Sequence, residues 1–190
     1  MNAIPVNHLP SPLPRWAVET AFGIMLFSAA LSPTAVSQYM FDHCAWLKAL
    51  INTAGDVVLY WALLRGMQTL RRPLTGWWAA VIVLVACGGV TMLLRSVEVW
   101  HEVMETADVI VAALLPLVYI PLGVQLLFIY RGALARVGVW MIVRSVVGTL
   151  LPVVWVLLEV PDGFVTLDVL YILVTVAYAW SIRRVLVEEH

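Results

Sequence analysis

The amino-acid sequence predicts an all-α, polytopic membrane protein with six transmembrane helices, and three observations carry that prediction. Of its 190 residues 63% are hydrophobic and only 12% are charged, whereas a soluble domain carries about 25% charged residues. The apolar residues gather into six long blocks. The charges between the blocks alternate in sign from one set of block ends to the other, as six crossings require.

A helix needs roughly 20 apolar residues to cross the hydrocarbon core of a bilayer. The blocks lie at about 16–37, 51–70, 77–95, 108–130, 138–158 and 165–186, and together they make a single transmembrane domain over residues 16–187. Before them, residues 1–15 (MNAIPVNHLPSPLPR) are polar and proline-rich with no basic stretch, which reads as a short irregular tail rather than a signal peptide. The second block is the weakest, because Asp56 and Arg65 interrupt it. The stretch just upstream, Phe41 to Leu50, reads as a short interfacial helix carrying Trp46 and Lys48.

Arg15, Arg65, Arg71, Arg72, Arg131, Arg136, Arg183 and Arg184 fall at one set of block ends. Asp42, Glu98, Glu102, Glu105, Asp108, Glu159, Asp162 and Asp168 fall at the other, with Lys48 and Arg95. The positive-inside rule places the arginine side, and with it both termini, in the cytoplasm, and the expected location is a bacterial inner membrane. A five-span reading, with the second block on the surface, puts Arg71 and Arg72 among the acids. Trp16, Trp77, Trp78 and Trp140 open odd-numbered blocks and Trp180 lies near the end of the last, the interfacial depth that indole rings favour.

An internal repeat organises these blocks. Thr53-Ala-Gly-Asp56-Val57, Thr106-Ala-Asp108-Val109 and Thr166-Leu-Asp168-Val169 each introduce an even-numbered block, tryptophan opens the odd ones, and arginine follows the even ones. The chain thus reads as three helical hairpins. Threonine and aspartate at a helix start accept hydrogen bonds from unpaired N–H groups and complement the helix dipole, so capping is the expected role of these residues. The alternative role is a vestibule of three carboxylates around a common axis. Two-helix repeats resemble those of mitochondrial carriers, but the proline–acid–basic signature that ends their odd helices is absent and the likeness stops at topology.

Several functions are excluded by composition. A formal net charge of −1 and the lack of a basic stripe leave nothing to attract nucleic acid. Cys44 and Cys87 sit at different depths and form no C-x-x-C or Cys/His cluster, so neither a disulfide framework nor a zinc site is expected. His8, His43, His101 and His190 all lie outside the apolar blocks, which disfavours haem in the bilayer core. No G-x-S-x-G occurs and no catalytic residue is assigned.

Two groups of residues can carry chemistry. Ionisable side chains within a span are costly and mark function or pairing. Glu19 lies one turn into the first block with Arg15 four residues before it, a local ion pair. Arg144 lies about two turns into the fifth, where it snorkels to the surface or pairs with Glu19 or Asp56 from another helix. In the fourth block Pro116 and Pro121, followed by Gln125, predict a kinked helix with freed carbonyls, as at transporter sites near the midplane, packed against Gly88 and Gly89 or Gly148. Arg144, Glu19, Gln125, Pro116, Pro121 and Asp56 are therefore the expected solute or ion pathway. The second group is Glu98, His101, Glu102, Glu105 and Asp108, which one helical face would align. Such a set admits a divalent metal such as Zn, Mn or Fe, with Asp42 and His43 as further ligands, although it matches no standard metalloprotease spacing; a solvated acidic face is the simpler expectation.

The first functional expectation is a small transport or channel-like protein for an ion or small solute, working as an oligomer. The second is a non-catalytic accessory or sensory subunit that binds partner membrane helices through Gly23, Gly88, Gly89 and Gly148. The third is a metal-dependent membrane enzyme.

Overall fold

A computed structural model of the chain describes residues 4–70, 73–157 and 163–187. It is all-helical apart from one two-residue strand pair. The helices are α1 (Arg15–Ala30), α2 (Thr34–Met67), α3 (Thr75–Arg95), α4 (His101–Ile129), α5 (Ala133–Ser145), α6 (Leu151–Leu157) and α7 (Gly163–Leu186), with a 3₁₀ turn at Glu98–Trp100 and a π-helical turn at Val146–Leu150 joining α5 to α6. Each helix packs on the next, and α7 closes the bundle against α1, α2 and α5. The order is a ring, in which α2 meets α3 and α4 meets α5 as extensively as any hairpin pair meets.

Among the described residues, five helical stretches are long and apolar enough to cross a membrane: Ala35–Met67, Thr75–Arg95, His101–Ile129, Ala133–Val154 and Val165–Leu186. The helix that falls short is the first, not the weak second. The block at 16–37 is broken because Pro33 disfavours helical backbone at the residue before it. α1 therefore ends at Ala30, Ser32 turns its hydroxyl onto the Ala29 carbonyl, and α2 starts directly after Pro33. At 16 residues α1 is roughly 24 Å long.

α2 runs far beyond the block at 51–70. Its backbone leaves the helical region at Cys44 (φ −144°, ψ 45°). The part before the kink folds back, so that Lys48 Nζ reaches the Ser37 carbonyl at 2.8 Å. A short separate helical segment thus exists, but it covers Thr34–His43 rather than Phe41–Leu50. Thr53 and Thr106 lie inside α2 and α4, well past the starts of these helices, and so do not cap them. Thr106 instead bonds back to the Glu102 carbonyl.

Helix α4 is continuous through Pro116 and Pro121. The interruption falls in the fifth block. Pro152 has no N–H for the Gly148 carbonyl four residues earlier, and the π-helical turn occupies the residues just before it.

The N-terminal segment is irregular, yet it is packed into the bundle. Ile4–Pro5 pairs in parallel with Tyr130–Arg131, and Leu9 is fully buried with its N–H on the Val185 carbonyl. Asn7 Oδ1 and the Val6 carbonyl accept from the N–H groups of Ala133 and Leu134. They thereby satisfy two donors that a helix start leaves unpaired. Gly132, at φ 84°, makes the turn that brings α5 onto this cap. The segment and the C-terminal turn of α7 therefore meet at one end of the bundle, the end that carries Arg15, Arg65, Arg131, Arg136, Arg183 and Arg184.

Candidate functional site

Arg144 and Asp56 come together inside the ring. Arg144 lies eleven residues from the start of α5 and Asp56 eleven from the end of α2, about 16 Å from the arginine-rich end in each case. The pair therefore lies well inside the bundle rather than at its rim. Both terminal nitrogens of Arg144 donate to Asp56 Oδ2 at 3.2 Å, and the side chains retain 17% and 8% of their exposure. A lone charge at that depth would be expensive; the partner makes it tolerable.

Four tyrosines surround the pair. Arg144 donates to the Tyr60 hydroxyl at 2.9 Å and to the Tyr171 hydroxyl at 3.4 Å, and Tyr119 donates to Tyr60 at 3.1 Å. The Tyr178 ring lies 5.3 Å from the guanidinium carbon, within cation–π range. None of these tyrosines was an expected site residue. Their signal was available: Asp56 and Tyr60 are four residues apart and Tyr171 and Tyr178 seven, so each pair shares a helix face.

A cavity of about 300 Å³ opens beside the pair. α2 contributes Asn52, Thr53 and Asp56, α3 the two small residues Gly88 and Gly89, and α5 and α7 supply Arg144, Ser145, Tyr171 and Tyr178. A second cavity of about 200 Å³ shares Asn52, Met92, Arg144 and Tyr171 with the first and runs to the α1–α2 elbow, where Ser32, Ser37 and Lys48 line it. The hydroxyls of Ser145 and Tyr178, on the first cavity, and of Thr175, on the second, are buried without a hydrogen-bond partner.

The other expected pathway residues lie elsewhere. Glu19 is at the arginine-rich end, where Arg183 of α7 grips it with two bonds of 2.8 and 2.7 Å, while Arg15 stands off at 3.8 Å. The local partner expected from sequence is the weaker one. Gln125 and Pro121 are half-buried in α4 and Pro116 is buried, and none of the three lines the cavity; Tyr119, between the prolines, does. The small residues are also used differently from expectation. Gly23 is exposed, with open space where a Cβ would stand, whereas Gly123 and Gly138 bring the backbones of α4 and α5 into direct contact.

At the acidic end, Arg95 organises the charges. Its guanidinium lies 3.2 Å from Glu105 and 3.8 Å from Asp108, Thr91 donates to Asp108 at 3.3 Å, and His101 Nδ1 is 3.0 Å from the Arg95 carbonyl. Glu98 belongs to the 3₁₀ turn that precedes α4, and Glu102 is exposed beside His101. Asp42 accepts from Gln38, and His43 stacks on Tyr39. Among the described residues no three His, Cys, Asp or Glu side chains converge to hold a metal ion. Of the three repeat aspartates, Asp56 and Asp108 line the central cavity and Asp168 does not. Cys44 and Cys87 are both free. Trp78 is fully buried against Tyr60, with its indole N–H on Met67 Sδ, so it belongs to the core rather than the interface.

No protein-family model, no curated protein and no solved structure matches the chain. The functional reading therefore rests on the site itself.

Proposed function

We propose that this chain is a small integral membrane protein that moves an ion or small solute through the central cavity. The arginine-rich end would face the cytoplasm, in keeping with the positive-inside rule, and the acidic end would receive the solute. One observation carries the reading: a cavity of about 300 Å³ reaches a buried ion pair inside the bundle. An accessory subunit that only presents helix faces to a partner needs no such space, and burying Arg144 and Asp56 would cost it stability that an apolar core would keep.

Flux into vesicles containing the purified protein tests this. Gly88→Leu is the informative variant, because an added Cβ there meets only Val111 Cγ1, at 3.5 Å. The larger side chain enters the cavity while the ion pair stays intact. Wild-type vesicles should pass small solutes or ions, and Gly88→Leu should reduce that flux at least tenfold, an effect of about 1.4 kcal/mol on the barrier. Flux equal in wild-type and protein-free vesicles would overturn the proposal.

A further inference from the structure

We infer that the passage between Lys48 and Arg144 is a binding site for a small monovalent anion, chloride or a short-chain carboxylate. The inference rests on the transport reading for the route by which the anion arrives, and it names the solute class.

The passage is the cavity of about 200 Å³ beneath the α1–α2 elbow. Liquid water takes about 30 Å³ per molecule, so this is room for an anion of a few heavy atoms with some hydration. Its lining is chemically one-sided. Lys48 and Arg144 supply two cationic side chains, and no carboxylate is among the described lining residues. Ser37, Asn52, Tyr171 and Thr175 add polar groups.

Charge balance sets the valence. Asp56 already cancels the charge of Arg144 through Oδ2. Lys48 is half-buried, donates to the carbonyl and hydroxyl of Ser37, and forms no ion pair among the described residues. Asp42 and Asp108 act on Lys48 from beyond the lining without pairing with it, so within the passage itself this positive charge has no counter-ion. Apolar surroundings penalise an uncompensated charge, and one monovalent anion cancels it. Arg144 can still take part, because its bonds to Asp56, Tyr60 and Tyr171 use only the two terminal nitrogens and leave Nε–H out.

A second observation points to an occupant independently of charge. The Thr175 hydroxyl is buried to 2% exposure and has no hydrogen-bond partner, and it lines this same cavity. Asn52 shares the lining but is already held between Ser28 and Met92. Thr175 is therefore a lining residue whose hydroxyl has no protein partner.

Isothermal titration of the purified chain in detergent, with chloride and with acetate against a gluconate background, tests the site. At least one of the two anions should bind saturably to the wild type. Lys48→Gln should weaken that binding about tenfold or more, as expected for loss of a charge-assisted hydrogen bond, and Lys48→Arg should retain it. Thr175→Val keeps the packing volume and should weaken binding by a smaller factor. No saturable binding of either anion, or equal binding by wild type, Lys48→Gln and Thr175→Val, overturns the inference. The vesicle experiment separates the two ideas: flux without anion binding sinks this site alone, and anion binding without flux sinks the transport reading alone.

Discussion

The two halves of the bundle contain the same helices but are packed very differently. From the tyrosine layer toward the arginine-rich end, Leu59, Leu63, Met67, Trp78, Leu122, Leu126 and Ile182 are all fully buried, and the N-terminal segment with Leu9 joins this core. Toward the acidic end lie the two cavities that share Arg144, the elbow at Leu31–Pro33, the kink at Cys44 and the π-helical turn at Val146–Leu150. Irregular backbone at membrane depth is tolerated where it is buried in protein or lines a wet space. The breaks and the two cavities that share Arg144 fall in one half, the accessible one; the other half is sealed from the ion pair, because its own cavity of about 350 Å³ between α5 and α7 does not reach Arg144.

The Arg144–Asp56 pair sits at the boundary, so breaking it should have the largest effect. Removing one partner of a buried pair leaves an uncompensated charge and costs about 3–5 kcal/mol. Arg144→Ala and Asp56→Asn should each lower stability by that order, read as unfolding in mild detergent. A double Asp56→Asn, Arg144→Gln variant should recover much of the loss, since no lone charge remains. If the double variant is as unstable as the sum of the singles, the pair is not the hinge between the halves.

The sequence is legible where one residue type dominates the energetics. Long apolar blocks located the helices, because lipid exposure leaves few alternatives, and Arg144 stood out because an arginine two turns into a span must find a partner. Asp56 was among the partners considered, and it is the one the fold supplies. Glu19 found Arg183 instead, an encounter 164 residues apart in the chain that no local spacing encodes. Proline was read incompletely: Pro116 and Pro121 lie within one continuous helix, while Pro33 and Pro152, given no weight, sit at the breaks. The packed N-terminal segment escaped notice because Val6 and Leu9 are isolated among polar residues, and only their contacts with α5 and α7 make them core.

At the sealed end, Gly132 is the position most sensitive to a small change. Its φ of 84° and ψ of −140° lie in a region used almost solely by glycine, and an added Cβ would run into Asn7 Oδ1. Gly132→Ala should cost about 1–3 kcal/mol. Because Asn7 caps α5, hydrogen exchange should rise at Val6, Leu9 and Leu134, whose N–H groups bond across this junction. Solute flux should stay within a factor of about two if the two halves are as separate as their packing indicates; the low barrier of roughly 0.4 kcal/mol that this allows is well below the loss of stability. A collapse of flux alongside modest destabilisation would show instead that the cap sets the shape of the cavity.

The smallest effect should come from a hydroxyl in the accessible half, and its sign is what matters. Ser145 is buried next to Arg144, and its Oγ has no protein partner. Tyr119 is also buried, but its hydroxyl donates to Tyr60 at the edge of the sealed half. Deleting a bonded hydroxyl costs about 0.5–1.5 kcal/mol, whereas deleting an unsatisfied one removes a desolvation penalty. Tyr119→Phe should therefore lower the unfolding midpoint, while Ser145→Ala should leave it unchanged or raise it slightly. Should Ser145→Ala prove as costly as Tyr119→Phe, the Ser145 hydroxyl must be held by an ordered water within the cavity. The accessible half would then be wet beside the ion pair even without solute, which would bring the aqueous path down to Arg144.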